Sequence, residues 1–183
     1  VDKMLDNKEI DLLFVTHEHF DHYWSVESVM KHDPGIRVIV PKGFYKEGFD
    51  LLKGANFPVA HVKNDFPHTG KLEVRESGKV HPIYPGVASI SFDSAIITRV
   101  LGEQALVFNI KDKGLVAVTG CCHMGIISFL QEIKQRVKGG DKIYGIQGGL
   151  HISPFEDWDP QYDDLIKAIP EYGIEVMGCN HCT

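Results

Sequence analysis

Leu12-Leu13-Phe14-Val15-Thr16 runs straight into His17-Glu18-His19-Phe20-Asp21-His22, and this stretch sets the reading of everything around it. The first five residues are a continuous apolar and β-branched run, the pattern of a buried strand that delivers functional groups at its end. From His17 to His22 only Phe20 lacks an atom able to bind a metal ion. Extended backbone repeats its side-chain direction every second residue, so His17 and His19 point the same way and can grip one ion. Asp21 and His22 fall where the chain turns into a helix, and their side chains diverge toward a second position. Two adjacent metal sites follow from that spacing. The plainer alternative, a set of solvated turn histidines, leaves a dense group of polar rings without partners at the end of a buried strand, which is costly. The ligand reading is therefore preferred.

Working outward, Tyr23, Val26 and Met30 recur at helical spacing until Pro34-Gly35 stops the helix. Ile36 to Val40 is a second strand, Pro41 opens a helix that ends at Gly54, and Pro58 to Val62 is a further strand. Asn64 to Gly86 is rich in Gly, Pro and charge and reads as hairpins or loops. Ala88 to Phe92, Gln104 to Ile110 and Leu115 to Thr119 form a meander, with Lys111-Asp112-Lys113-Gly114 turning between the last two. Ile126, Leu130, Ile133 and Val137 line one face of a helix closed by Gly139-Gly140, before a strand from Lys142 to Ile146. Asp159-Pro160 starts a last helix with Tyr162, Leu165, Ile166 and Ile169 as its buried stripe, and Ile174 to Met177 is the final strand. Strands alternate with helices along the whole length without a repeat or linker, which predicts one α/β domain.

The 183 residues are 43% hydrophobic and 24% charged, enough for one core that removes about two-thirds of the unfolded surface from water. A net charge of −6, with no Lys or Arg cluster longer than a pair, argues against a grip on a nucleic-acid backbone. Apolar runs such as Leu12 to Val15 and Val38 to Val40 fall far short of the roughly 20 residues that span a bilayer. The expected partner is a small-molecule substrate, not a nucleic acid or a membrane. No basic-then-apolar segment opens the sequence, and Cys121, Cys122, Cys179 and Cys182 are not spaced like a secreted disulfide framework, so the expected compartment is the cytoplasm. Each cysteine pair lies beside a histidine required for the metal sites, and packing or supporting thiols are preferred to ligating ones.

His-x-His-x-Asp-His after a strand resembles the signature of the metallo-β-lactamase superfamily. Val118-Thr119-Gly120-Cys121-Cys122-His123-Met124-Gly125-Ile126, Gly148-Gly149-Leu150-His151 and His181-Cys182-Thr183 resemble the branch containing dihydropterin-ribofuranosylaminobenzene phosphate synthases. The resemblance implies a four-layer αββα sandwich, here without part of its first sheet, holding one or two divalent ions between its sheets. Zinc is the first choice of ion, with manganese, iron and magnesium as alternatives. It implies His17, His19 and His123 for one ion, and Asp21, His22 and His181 for the other. Most of the superfamily has a bridging Asp where this chain, with no carboxylate from Gly145 to His151, offers His151 as the replacement ligand. Glu156, Asp157 and Asp159 are nearby carboxylates, read by preference as a solvated acidic loop. His32, His61, His68 and His81 are read as surface or structural residues.

The function implied is a metal-dependent hydrolase in which Asp21 is catalytic, holding the second ion and orienting the attacking water. With Asp21 as the only formally negative ligand, two divalent ions keep excess positive charge, which favours an anionic substrate such as a phosphate ester. The alternatives are a transferase that joins a pterin diphosphate to a ribofuranosylaminobenzene phosphate with release of diphosphate, and a noncatalytic metal-binding scaffold or sensor. Diiron oxygen and nitric oxide reductases of the same superfamily usually carry Glu where His19 stands. The signature arrives by residue 17, and a ligand at His181 lies two residues from an end that ordinarily frays. Residues 1–183 are accordingly expected to be a fragment of the domain, truncated at both ends.

Overall fold

The structure is a computed structural model that describes residues 1–58, 61–94, 100–151 and 159–181. The first sheet is built on β2 (Arg37–Pro41), whose consecutive Val38, Ile39 and Val40 are all fully buried. Burial on both faces is what a parallel strand between two layers requires. β1 (Leu12–Phe14) pairs parallel with one edge of β2, and β5 (Leu72–Arg75) pairs parallel with the other. On one face of this sheet, α1 (Asp2–Asp6), α3 (Val26–His32) and α4 (Lys46–Leu52) bury Leu5, Met30, Leu51 and Leu52 in one cluster with Val38 and Val40. A single turn, α2 (Phe20–Tyr23), precedes α3, and β3 (Asn56–Phe57) pairs with β4 (Val62–Lys63).

The second sheet has the order β11-β10-β9-β8-β7-β6. β6 (Val80–Tyr84), β7 (Val87–Asp93), β8 (Gly102–Ile110) and β9 (Gly114–Val118) form an antiparallel meander. β9, β10 (Ile143–Gly148) and β11 (Val176–Cys179) run parallel. α5 (Ile126–Arg136) makes the crossover from β9 to β10, and its Ile126, Phe129, Leu130 and Ile133 are buried with Ala105, Leu115 and Ile143. α6 (Gln161–Ala168) and a 3-10 turn at Ile169–Tyr172 lead into β11. The two sheets meet where the fully buried Gln104 donates from its backbone N–H to Thr16 O and from Nε2 to Val15 O, both at 2.8 Å. The result is the four-layer αββα sandwich, with the end of β1 stitched to the start of β8. Among the described residues no helix is long and apolar enough to cross a membrane.

Several local expectations change in the fold. Tyr23, Val26 and Met30 are buried as their spacing predicts, but a turn at Trp24-Ser25 divides the helix into α2 and α3. Pro41 ends β2 opposite Arg75 instead of opening a helix, and α4 begins only at Lys46. The segment read as hairpins or loops contains β6, which makes a hairpin with β7, and β5, which pairs parallel with the distant β2. β5 forms because Val38 lies opposite Leu72 and Val40 opposite Val74, and because Arg37 Nε donates to Glu73 Oε1 at 2.7 Å; local composition cannot see such a partner. The strand placed from Pro58 to Val62 is instead the β3–β4 pair, with residues 59–60 outside the described set. Ile166 is 52% exposed, so the buried stripe of α6 narrows to Leu165 with Ile169 just beyond the helix.

Candidate metal centre

Every candidate ligand stands just past the C-terminal end of a strand: His17 to His22 after β1, His123 after β9, His151 after β10 and His181 after β11. Val118, Gln147 and Gly178 pair across the three parallel strands, so those ends open on one rim, where α/β sheets place their ligand sites. Pairing continues past the strands, with Gly149 N–H donating to Gly120 O at 2.9 Å and Asn180 N–H to Gly148 O at 3.2 Å. Cys122, His151 and His181 adopt left-handed φ values of 60°, 53° and 53°, a conformation that costs non-glycine residues of order 1 kcal/mol each and clusters at functional sites. Gly120 has a different constraint. A Cβ there would collide with Thr16 Oγ1 and lie 2.9 Å from His17 Nδ1, so only glycine lets the β9 loop approach the β1 histidines.

The rim gathers the residues in two principal groups. Nitrogens of His17, His19 and His123 lie within 4.8 Å of one another, as do atoms of Asp21, His22 and His181. In the first group the rings of His19 and His123 each lie within 4.9 Å of His17. In the second, His181 Nε2 is 2.9 Å from both Asp21 Oδ2 and His22 Nε2. These are the two trios implied by the resemblance, assembled from sequence separations of more than 100 residues in each case. His151 stands beside the first trio, its ring 4.5 Å from that of His123, and it groups with Cys121 and His123.

The donor set fits a cation. His17 Nε2 and both ring nitrogens of His123 are buried without a hydrogen-bond partner, and leaving such groups unsatisfied costs about 1–3 kcal/mol each. A ring of imidazole nitrogens turned toward one another finds in a metal ion the partner that accepts all their lone pairs. The electrostatics keep those lone pairs free. Burial holds the pKa of His17 far below the ordinary histidine range, and the neighbouring imidazoles push the same way. Burial also lowers His22, against the opposing pull of Asp21, and lowers His151 with help from His123. Neutral imidazole is the form that ligates.

One residue at the site was not singled out from sequence. Glu103 is fully buried, and its carboxylate accepts the backbone N–H groups of Cys121 at 3.2 Å, Cys122 at 2.9 Å and His123 at 2.7 Å. It also faces His17 Nδ1 at 3.7 Å and His123 Nδ1 at 3.4 Å. If Nε2 of His17 serves an ion, Nδ1 carries the proton and donates to Thr16 Oγ1, 3.0 Å away, with the Glu103 charge behind it. The signal was available: the turn at residues 111–114 pairs Leu106 with Val118, and the same antiparallel register brings Glu103 opposite Cys121. Cys121, read above as a packing or supporting thiol, has Sγ 3.1 Å from His22 Nε2. Its neighbour Cys122 does pack, in the second-sheet core, where burial pushes its thiol pKa up to about 12.

The remaining histidines divide as follows. His32 pairs with Asp6, His68 shares a hydrogen bond with Ile36 O and His81 with Glu76 O, all structural roles. His61 is exposed, as read, and lines a cavity of about 720 Å³ together with Trp24, Glu27 and Lys63. Asp159 is exposed ahead of α6 and joins no metal-binding group among the described residues; Glu156 and Asp157 lie outside them, as do Cys182 and Thr183.

A family model for the metallo-beta-lactamase superfamily matches residues 2–128, a span that includes His17 through His22 and His123. The chain belongs to the metallo-β-lactamase superfamily. A 7,8-dihydropterin-6-methyl-4-(beta-D-ribofuranosyl)-aminobenzene-5'-phosphate synthase of Methanocaldococcus jannaschii is 24% identical over 207 positions, covering 98% of this chain and 68% of that protein. The crystal structure of a metal-dependent hydrolase of the beta-lactamase superfamily aligns with TM-score 0.63 over 93% of this chain and 68% of its own, at 23% identity. A beta-lactamase from Chitinophaga pinensis aligns over 91% of this chain and 72% of its own, with TM-score 0.48 and 16% identity. The TM-score of 0.63 supports the shared metallo-β-lactamase fold, and the superfamily's divalent ions match the His, Asp and Cys groups on the rim.

Proposed function

We propose that this chain is a metal-dependent hydrolase acting on a small anionic substrate, phosphate esters first. The observation that carries the reading is the convergence of His17, His19, His123 and Asp21, His22, His181 into two adjacent donor groups with buried, unsatisfied imidazole nitrogens. Those six residues, with His151 beside them, would hold one or two divalent ions. When bound, such ions supply Lewis-acid polarisation of a phosphoryl or carbonyl oxygen and water of lowered pKa. The chain's own groups do the rest. The half-exposed Asp21 carboxylate reaches both His22 and the open face of the rim, where it orients a water and accepts its proton. Glu103 fixes the 121–123 backbone and the His17 and His123 rings. Its negative charge, added to that of Asp21, reduces the positive excess counted from Asp21 alone but leaves a positive remainder, which supports an anionic substrate.

A second reading is favoured by the synthase of M. jannaschii, which aligns with 98% of this chain. On that reading the same rim stabilises a departing diphosphate instead of activating water. One experiment separates the two. Protein reconstituted with zinc, manganese or iron is assayed against phosphomonoesters, phosphodiesters and lactones for water-dependent cleavage, and against paired pterin diphosphate and aminobenzene ribofuranosyl phosphate for diphosphate release. Turnover of single anionic substrates supports hydrolysis, diphosphate release that needs both substrates supports transfer, and neutral analogues cleaved as fast as anionic ones refute the charge argument. Asp21→Ala is expected to lower the rate by at least a hundredfold with an unchanged circular-dichroism spectrum.

A further inference from the structure

We propose that Cys121 Sγ is a thiolate ligand of the metal centre, supplying the negative charge that the segment from Gly145 to His151 lacks. The inference rests on the metal-centre reading above and goes beyond the imidazole and carboxylate ligands it uses. Sγ lies 3.1 Å from His22 Nε2, close enough for both atoms to address one ion. It belongs to two donor sets at once, one with His17 and His22 and one with His123 and His151, each with all atoms within 4.8 Å. Among the described residues one other side chain, His123, also belongs to a set with β1-loop histidines and to the set with His151. Cys121 is 1% exposed, yet it packs in neither described apolar cluster, whereas Cys122 is a member of the second-sheet core. Two adjacent thiols thus face opposite sides of one loop. That loop is held rigidly, because the N–H groups of Cys121 and Cys122 both end on Glu103 Oε1.

The chemistry agrees with the position. Between Gly145 and His151 the chain has no carboxylate, so Asp21 is the only anionic ligand in either histidine trio. A thiolate supplies the missing charge, and mixed imidazole and thiolate sets suit zinc. Ligation requires the deprotonated thiol, so entry of the ion releases the Sγ proton to solvent.

Zinc K-edge X-ray absorption on the zinc-loaded 183-residue chain tests this. The wild type should show sulfur at about 2.3 Å beside nitrogen and oxygen at about 2.0–2.2 Å. Cys121→Ser should lose the sulfur shell while keeping zinc at reduced affinity. If that variant does not fold, a chain keeping Cys121 as its only cysteine, through Cys122→Ala, Cys179→Ser and Cys182→Ser, should retain the sulfur shell. Zinc bound by nitrogen and oxygen alone in the wild type or in the single-cysteine chain overturns the proposal, as does sulfur that survives Cys121→Ser. A wild type that binds no zinc overturns the metal-centre reading itself, and is thereby told apart from failure of the thiolate alone.

Discussion

The Glu103 side chain has no exposed surface, and its oxygens accept three backbone N–H groups and face two imidazoles. Glu103→Gln keeps the shape but sets an amide N–H₂ against N–H donors. We expect a loss of about 1–3 kcal/mol in stability and a 10- to 100-fold weaker metal affinity. Urea unfolding and competition with a chromophoric chelator measure the two, and unchanged values in both would remove Glu103 from its role. His17 gives a pH prediction at the same scale. Its pKa in the fold lies below the ordinary 6.5, so the charged form is disfavoured in the folded state. In metal-free protein, stability is therefore greatest above pH 6.5 and falls as the pH drops below it, by up to about 1.4 kcal/mol per pH unit for this one group. Urea midpoints between pH 8 and pH 5 should decline only in the lower half of that range.

At the scale of elements, the rim depends on α5 holding β9 and β10 side by side, since both supply its loops. Phe129 is fully buried in the core that α5 shares with this sheet, its ring 4.4 Å from that of Phe92 on β7. Phe129→Ala leaves a cavity under the crossover, and a destabilisation of about 3–5 kcal/mol is expected from thermal or denaturant unfolding. A cost below 1 kcal/mol would mean the helix is not what ties these strands. The helical periodicity of Ile126, Leu130 and Ile133 identified this face correctly, because a 3.6-residue pattern is a property of the segment itself. The same logic failed at Ile166, where helix spacing is satisfied but the residue is half-exposed. β5 was unreadable for a related reason: its four residues become a strand only by lying against β2, more than 30 positions away.

At the scale of the whole molecule, the candidate site is a junction between two sheets, and an ion held there as proposed would tie β1, β9 and β11 together. Anything that binds only the folded state stabilises it, by about 2.7 kcal/mol at a hundred times its Kd. Zinc at that excess should raise Tm by roughly 5–10 °C in a chain of this length, and a chelator should reverse the rise. A Tm indifferent to both would contradict the proposed centre. By itself the sequence determined the class of fold, the order of its main elements, and the identity of His17, His19, Asp21, His22, His123, His151 and His181 as the residues to watch. The elements and the His17 to His22 cluster are local signals, carried by periodicity and by the spacing of unusual side chains within a few residues, whereas His123, His151 and His181 came from the resemblance of their motifs to the superfamily. The tertiary structure brings the two implied trios together, and it alone decided that Glu103 stands behind them and that Cys121 faces His22. Those contacts depend on strand register and on the close passage of loops at Gly120, where partners distant in sequence are fixed by packing that no single segment encodes.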